Sequence, residues 1–261
     1  MSGTERSGVA AHQKRRGFRP APERSGGAGL SRILAVARLQ ALGRRDAALW
    51  PIGVLAIAFS VNVLLFATMP DDALESDPVT GALASIYIAA LAFGTIAVNQ
   101  NFPFALGMSV TRREFTAALA LFAAVQVIAY SVLLIILQSI EEATGGWGLR
   151  LRFFGVGFIH EYPIPVQFVI YAVPMLTMTL IGTASGALYL RWRANGILTA
   201  GSVLLLLLGG AAALISRSGE WPAIGHWLTH TSPVALIAGW PLLLAAALGG
   251  GSWLVLRRAT P

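Results

Sequence analysis

A serine among small residues is the first feature of this sequence that could perform chemistry. Ser185 lies in the stretch GTASG, residues 182–186, where small neighbours would let a nucleophilic hydroxyl approach a substrate. A motif that carries a nucleophilic serine would have its first glycine at the position of Thr183. No histidine lies in an apolar segment to activate the hydroxyl as a general base. We therefore predict no catalytic residues and no enzymatic activity.

Two histidines have the spacing of helical metal ligands. His226 and His230 are four residues apart, so they would share one face of a helix, as metal ligands do. The glutamate of an H-E-x-x-H motif is missing, and Glu220 is the only carboxylate nearby. We predict a solvated turn without a metal.

Nucleotide and thiol chemistry are excluded by composition. The only lysine is Lys14, which belongs to no G-x-x-x-x-G-K-[ST] loop, where a lysine must reach the phosphates. The chain has no cysteine, so disulfides, thiolate metal sites and cysteine nucleophiles are excluded as well. We predict that the chain binds no cofactor and does not itself hydrolyse ATP.

The elements that carry these residues are long and apolar. Of the 261 residues, 56% are hydrophobic and 12% are charged, against about 25% charged in an average soluble protein. A segment of about 18 or more apolar residues suffices to cross a bilayer core. We predict one all-α membrane domain, residues 47–258, with six transmembrane helices. The predicted spans are Ala47–Met69, Gly81–Gln100, Phe115–Ser139, Val166–Leu190, Asn195–Ile215 and Pro233–Leu256.

The distribution of positive charge predicts the orientation. An even number of spans places both termini on one side, and 16 of the 19 Lys and Arg residues lie on that side. The positive-inside rule makes that face cytoplasmic. This topology accounts for the net charge of +7, so we do not expect nucleic-acid binding. The three on the other face are Arg150, Arg152 and Arg217.

The residues before the first span form two segments. Residues 1–29 lack Leu, Ile, Trp and Tyr and cannot bury enough apolar surface to offset their ordering entropy, so we predict a disordered basic tail. In residues 30–46, Leu30, Ile33 and Leu34 fall near one helical face among several arginines. This pattern predicts an amphipathic helix in the cytoplasmic headgroup layer; the alternative is an ordinary basic flank of the first span.

The predicted spans contain no Asp, Glu, His, Lys or Arg, which ion-driven transporters use to bind the driving ion or relay protons. This favours a channel-forming or scaffold subunit whose energy comes from elsewhere. The polar and small groups that do occur fit helix packing better than substrate contact, although a substrate pathway stays open. They are Asn62, Gln126, Tyr130, Pro174, Thr177 and the G-x-x-x-G pair Gly182 and Gly186.

The connection between the second and third predicted spans is longer and more apolar than a turn needs. Residues 99–116 read NQNFPFALGMSVTRREFT, and Pro103 is expected to break the helix there. Apolar residues beside charges on a cytoplasmic face indicate a docking surface. Thr111 and Glu114 have the spacing of a capping box, so a plain membrane-surface turn is the alternative.

From Phe102 to Phe115 the sequence FPFALGMSVTRREF resembles the permease subunits of type 2 ATP-binding-cassette exporters, especially small ones of actinobacteria. The basic segment before the first span and the six-span layout with both termini inside are similar too. The stretches GGWG at residues 145–148 and FFG at residues 153–155 resemble the same family more weakly.

The resemblance implies that the first cytoplasmic loop acts as a coupling helix in a groove of a separate ATPase subunit, which binds ATP and Mg. It also implies a pair of permease subunits, identical or different, in the plasma membrane of a bacterium, with export to the outside. Some relatives have a large outer domain, whereas the longest external segment here has about 26 residues. The coupling residues it implies are Gly107, Ser109, Thr111, Arg112, Arg113, Glu114 and Phe115.

The alternative is a stand-alone polytopic carrier or scaffold protein without an ATPase partner. In that case, Arg112 and Arg113 would only anchor the topology.

The predicted topology can be tested by cysteine labelling, because the natural chain has no cysteine. We expect single cysteines at Asp72 and Ser216 to react with a membrane-impermeant maleimide in intact cells, and cysteines at Ser109 and Ala194 to react only after permeabilisation. Labelling of the Ser109 position in intact cells would overturn the orientation.

Overall fold

The computed structural model describes residues 45–70, 80–107, 110–155, 157 and 159–258. The predicted disordered tail, residues 1–29, lies outside the described residues, as does nearly all of the predicted amphipathic helix of residues 30–46. Ser109 lies outside them as well.

The described residues form helices, short turns and no β-strand. A tight turn, Gly146–Arg150, in which four residues have positive φ, and a short 3-10 turn, Ile159–Glu161, lie between α3 and α4, and a π-helical turn, Ala235–Gly239, precedes α6. The described part of the chain contains the α-helices α1 (Arg45–Ala67), α2 (Ala84–Gly107), α3 (Arg112–Ala143), α4 (Ile164–Ser218), α5 (Trp221–His230) and α6 (Trp240–Arg258).

Several of these helices are long and apolar enough to cross a membrane. Because the described residues form helices and no strand, the all-α class is confirmed for them. The long apolar helices make the chain a multi-pass membrane protein. The segments that meet the length and hydropathy needed for a span are Leu49–Ala67, Arg112–Ala143, Ile164–Ser218 and Ala235–Leu254.

The connection from α2 to α3 is shorter than predicted, because α2 runs on to Gly107 and α3 begins at Arg112. Pro103 was expected to break the helix, and this is wrong, because α2 continues through it to Gly107. A proline removes the hydrogen bond to the carbonyl of residue i−4 and its ring crowds that carbonyl, but this one lies in the last turns of the helix. Phe102 and Ala105, on either side of it, are buried in an apolar cluster that holds these turns in place.

The 55 residues of α4 form one helical run with a break at Arg193. At 1.5 Å per residue the run would be about 80 Å long, far more than a bilayer core of about 30 Å. Arg193 has φ 55° and ψ −152°, outside the helical region, while the chain stays helical through Pro174. The break falls between the predicted spans Val166–Leu190 and Asn195–Ile215.

Two apolar clusters lie at opposite ends of α2 and α3. The first includes Leu83 at the start of α2 and Leu134 in the later part of α3. The second includes Phe102 near the end of α2 and Phe115 near the start of α3. We call the two ends of the bundle the loop end and the turn end, respectively. α2 and α3 therefore run antiparallel, as their short connection requires.

Glycines bring α2 and α4 into close contact. A Cβ atom on Gly182 of α4 would collide with the carbonyl oxygen of Leu91, and a Cβ on Gly94 of α2 with that of Thr179. The hydroxyl of Thr95 donates to the carbonyl oxygen of Gly182 at 3.1 Å, so a hydrogen bond joins the two helices. Backbone approach of this kind is what small residues allow in membrane helices.

We predict that Gly182→Ala destabilises the bundle by about 1–3 kcal/mol, the usual cost of overpacking a tight contact. Gly201→Ala is the matched control, because a Cβ there meets nothing within 4 Å and alanine is the better helix former. Thermal unfolding in one detergent should show a lower melting temperature for Gly182→Ala alone. Equal melting temperatures for both variants would contradict the close contact.

Candidate functional site

The segment that joins α2 to α3, residues 107–115, is called the turn segment here. Thr111 caps α3: its hydroxyl accepts a hydrogen bond from the backbone N–H of Glu114 at 3.2 Å. The Glu114 carboxylate in turn accepts from the backbone N–H of Thr111 at 2.9 Å. The predicted capping box is thus confirmed, and it fixes the entry of the chain into α3.

An aromatic pair lies beneath the turn segment. The rings of Phe102 and Phe115 meet edge to face with centroids 5.2 Å apart, and Phe115 is fully buried. The backbone N–H of Val110 donates to the carbonyl oxygen of Ala105 at 3.2 Å, which closes the end of α2. Because the two helices share this aromatic contact, a force on the turn segment would move their ends together.

The surface of the turn segment combines apolar and basic groups. Phe104, in the last turns of α2 just before the turn segment, is 65% exposed, and Pro103 of α2 and Arg113 of the turn segment are exposed as well. A cavity of about 580 Å³ lies between Arg112, Arg113 and Trp253 of α6. The turn segment and the last turns of α6 are therefore neighbours at the turn end of the bundle.

The polar residues predicted for packing or a pathway lie at helix contacts. The amide oxygen of Asn62 in α1 accepts from the hydroxyl of Thr80 at 2.7 Å. Thr177 of α4 donates to the carbonyl oxygen of Pro241 in α6 at 3.1 Å. These bonds join different elements of the bundle, as a packing role requires. Gln126 and Tyr130 of α3 are both buried.

A buried carboxylate at the loop end was missed by the sequence reasoning. Glu141, only 4% exposed, was counted there as one more acidic residue outside the membrane. Its carboxylate accepts hydrogen bonds from four N–H groups, and no ion pair is recorded for it within the described part of the chain. The donors are Trp147 Nε1 at 3.2 Å and the backbone nitrogens of Phe153 at 2.9 Å, Phe154 at 3.0 Å and Gly155 at 2.8 Å.

These bonds hold residues 144–163, the α3–α4 loop, against the bundle. The rings of Trp147, Phe153 and Phe154 lie 5.0, 5.4 and 5.5 Å from the ring of Phe59 in α1. Phe153 and Phe154 are almost fully buried. The loop therefore returns into the apolar core instead of lying in solvent.

A tyrosine supports the same loop from α4. The hydroxyl of Tyr171 lies 2.8 Å from both the Gln138 amide oxygen and the Phe154 carbonyl oxygen. A single hydroxyl proton can serve either acceptor. Tyr171 is fully buried, so α3, α4 and the loop meet at one polar point inside an apolar cluster.

Helical periodicity could have revealed Glu141. The buried residues of α3 include Val127, Tyr130, Leu134, Gln138 and Glu141, which recur every three or four residues along one face. Continuing this spacing past the predicted end of the span at Ser139 places Glu141 on the buried face and Glu142 off it.

The remaining candidates show no catalytic arrangement. The rings of His226 and His230 on α5 stack 3.6 Å apart, and no residue of α5 is buried. The described residues contain no group of three or more His, Asp or Glu that could hold a metal ion. The hydroxyl of Ser185 donates to the carbonyl oxygen of Ile181 at 2.8 Å.

Comparison of the chain with protein-family models, with curated proteins and with solved structures finds no match.

We predict that Glu141→Gln destabilises the α3–α4 loop. The amide nitrogen of a glutamine cannot accept the backbone N–H bonds that the carboxylate now takes, and each unsatisfied buried donor costs about 1–3 kcal/mol. Limited trypsin digestion should then cleave faster at Arg150 or Arg152. Glu142→Gln is the matched control, since Glu142 is exposed; equal digestion of the two variants would contradict the role of Glu141.

Proposed function

We propose that this chain is the permease subunit of a type 2 ATP-binding-cassette exporter in the plasma membrane of a bacterium. A separate ATPase subunit would hydrolyse ATP and dock on the turn segment, and two permease subunits would pair to form the pathway. The observation that carries the proposal is the surface formed by the last turns of α2 and the turn segment, in which Phe104 and Arg113 are exposed while the Phe102–Phe115 pair is buried.

A six-span arrangement with both termini inside is part of this proposal. Helices α2, α3 and the first part of α4 connect the two ends of the bundle, since each contributes to both clusters. Helix α1 contributes to the cluster at the loop end and is long and apolar enough for a further crossing. Val234 and Ile237 pack against the cluster at the loop end, while Trp253 lies beside the turn segment. The break at Arg193 supports a return of the chain between Leu190 and Val234, which brings the number of crossings to six.

Coupling would proceed through contacts between helices. Closure of the ATPase subunits pushes on the turn segment, and the Phe102–Phe115 pair moves the ends of α2 and α3 together. α2 contacts α4 through Gly94, Gly182 and Gly186, so the displacement reaches α4 without an intervening side chain. Interfaces packed this closely shift between discrete arrangements.

The docking proposal predicts that a single charge reversal separates the subunits. The ATPase encoded next to this chain, or a matched ATPase of the same class, should co-purify with the wild-type permease in detergent. Arg113→Glu should lower the retained ATPase at least tenfold, because it reverses a charge at the centre of the exposed surface.

Arg217→Glu is the matched control, since Arg217 is also an exposed arginine but lies in the last turn of α4. A wild-type permease that never retains the ATPase, or an Arg113→Glu variant that retains as much as Arg217→Glu, would contradict the proposal. Solute flux through liposomes that contain this chain alone would favour the stand-alone carrier.

A further inference from the structure

A second cavity lies at the loop end of the bundle, away from the turn segment. Its volume is about 460 Å³, within the range of about 300–1,000 Å³ that is typical of small-ligand sites. Its lining includes Gln138 and Glu142 of α3, Arg150 and Arg152 of the α3–α4 loop, and His160. The first and last of these residues, Gln138 and His160, lie 22 positions apart in sequence. The side chains meet because the hydrogen bonds of Glu141 hold the loop against the bundle.

The cavity is lined by charged side chains of both signs that form no ion pair with each other. Glu142, Arg150 and Arg152 make no recorded ion pair with any residue that the structure describes. The Glu141 carboxylate also borders the cavity, but its hydrogen bonds to the loop occupy it. Two guanidinium groups and one carboxylate are thus available to a ligand.

A buried polar group that lines the cavity is the amide of Gln138, which is 3% exposed. Its oxygen lies beside the Tyr171 hydroxyl, and its amide nitrogen has no recorded partner among the described residues. A primary amide nitrogen offers two donors. The buried end of the cavity therefore presents donors, as the two arginines do.

The backbone of the loop is arranged to place both arginines at the cavity. Leu151, which lies between them, is fully buried, and its N–H donates to the carbonyl oxygen of Gly146 at 3.1 Å. Arg150 has a φ of 54°, a left-handed conformation that is uncommon outside glycine.

We propose that this cavity binds a phosphate that carries a neighbouring ammonium group, as in the headgroup of phosphatidylethanolamine or in free glycerophosphoethanolamine. A bidentate pair with one arginine uses both oxygens of a carboxylate. The non-bridging oxygens of a phosphate, in contrast, can accept hydrogen bonds from two guanidinium groups. The carboxylate of Glu142 then balances the ammonium. The inference goes beyond the proposed export function and needs no ATPase.

The first test uses the soluble headgroup. Glycerophosphoethanolamine is titrated into the purified full-length chain by isothermal calorimetry, and we expect saturable binding. Arg150→Gln combined with Arg152→Gln should weaken it at least tenfold, whereas Arg217→Gln, an exposed arginine outside the cavity, should leave it unchanged. Absence of saturable binding would exclude the free compound as the ligand, and equal loss in the Arg217→Gln control would overturn the proposal.

A single variant tests the ammonium contact without changing the loop. Glu142 is exposed on α3, and Glu142→Gln should remove the preference for glycerophosphoethanolamine over glycerol phosphate. An unchanged preference would overturn the assignment of Glu142 to the ammonium. Equal binding of both compounds by the wild type would show an anion site and overturn the zwitterion proposal.

The lipid is distinguished from the soluble compound in nanodiscs. Native mass spectrometry of discs that contain phosphatidylethanolamine and phosphatidylglycerol should retain phosphatidylethanolamine preferentially on the wild type if the lipid headgroup is the source. Retention that depends on Arg150 and Arg152 supports the lipid, and soluble binding without lipid retention supports the free compound. If the wild type shows neither binding of the soluble compound nor retention of the lipid, the proposed site is overturned.

Discussion

The carboxylate of Glu141 is the interaction on which the loop end of this molecule depends. A buried negative charge without a cation is costly unless hydrogen bonds replace its hydration, and here one indole and three backbone N–H groups do so. The same bonds satisfy backbone donors of a loop that would otherwise be buried unpaired. Charge and loop therefore stabilise each other.

The turn end of the bundle is stabilised by other interactions than the loop end. The capping box at Thr111 and the Phe102–Phe115 pair fix the connection between α2 and α3 by local hydrogen bonds and ring packing. Between the two ends, α2 and α4 touch at glycines with almost no space left. The bundle is thus fixed by local contacts at the turn end and is close-packed between α2 and α4.

The sequence predicted the helical class well, because long apolar runs have few alternatives in a bilayer. The capping box was predicted as well, since its two residues lie three apart and act locally. Pro103 misled the prediction because proline breaks helices in isolation, and only the burial of Phe102 and Ala105 overrides that tendency. Glu141 was missed for the opposite reason: its partners lie 6 to 14 residues away, in a loop whose return into the core no local pattern announces.

The backbone break at Arg193 leaves the two parts of α4 joined with no intervening linker. The bend is tight, since a Cβ on Gly196 would lie 3.3 Å from the carbonyl oxygen of Leu188, and the Arg191 guanidinium rests over the ring of Trp192 at 4.9 Å. Because the joint is so short, rotation of the first part of α4 would also rotate the second part. A few glycines inserted at the break would uncouple the two parts by making the joint flexible.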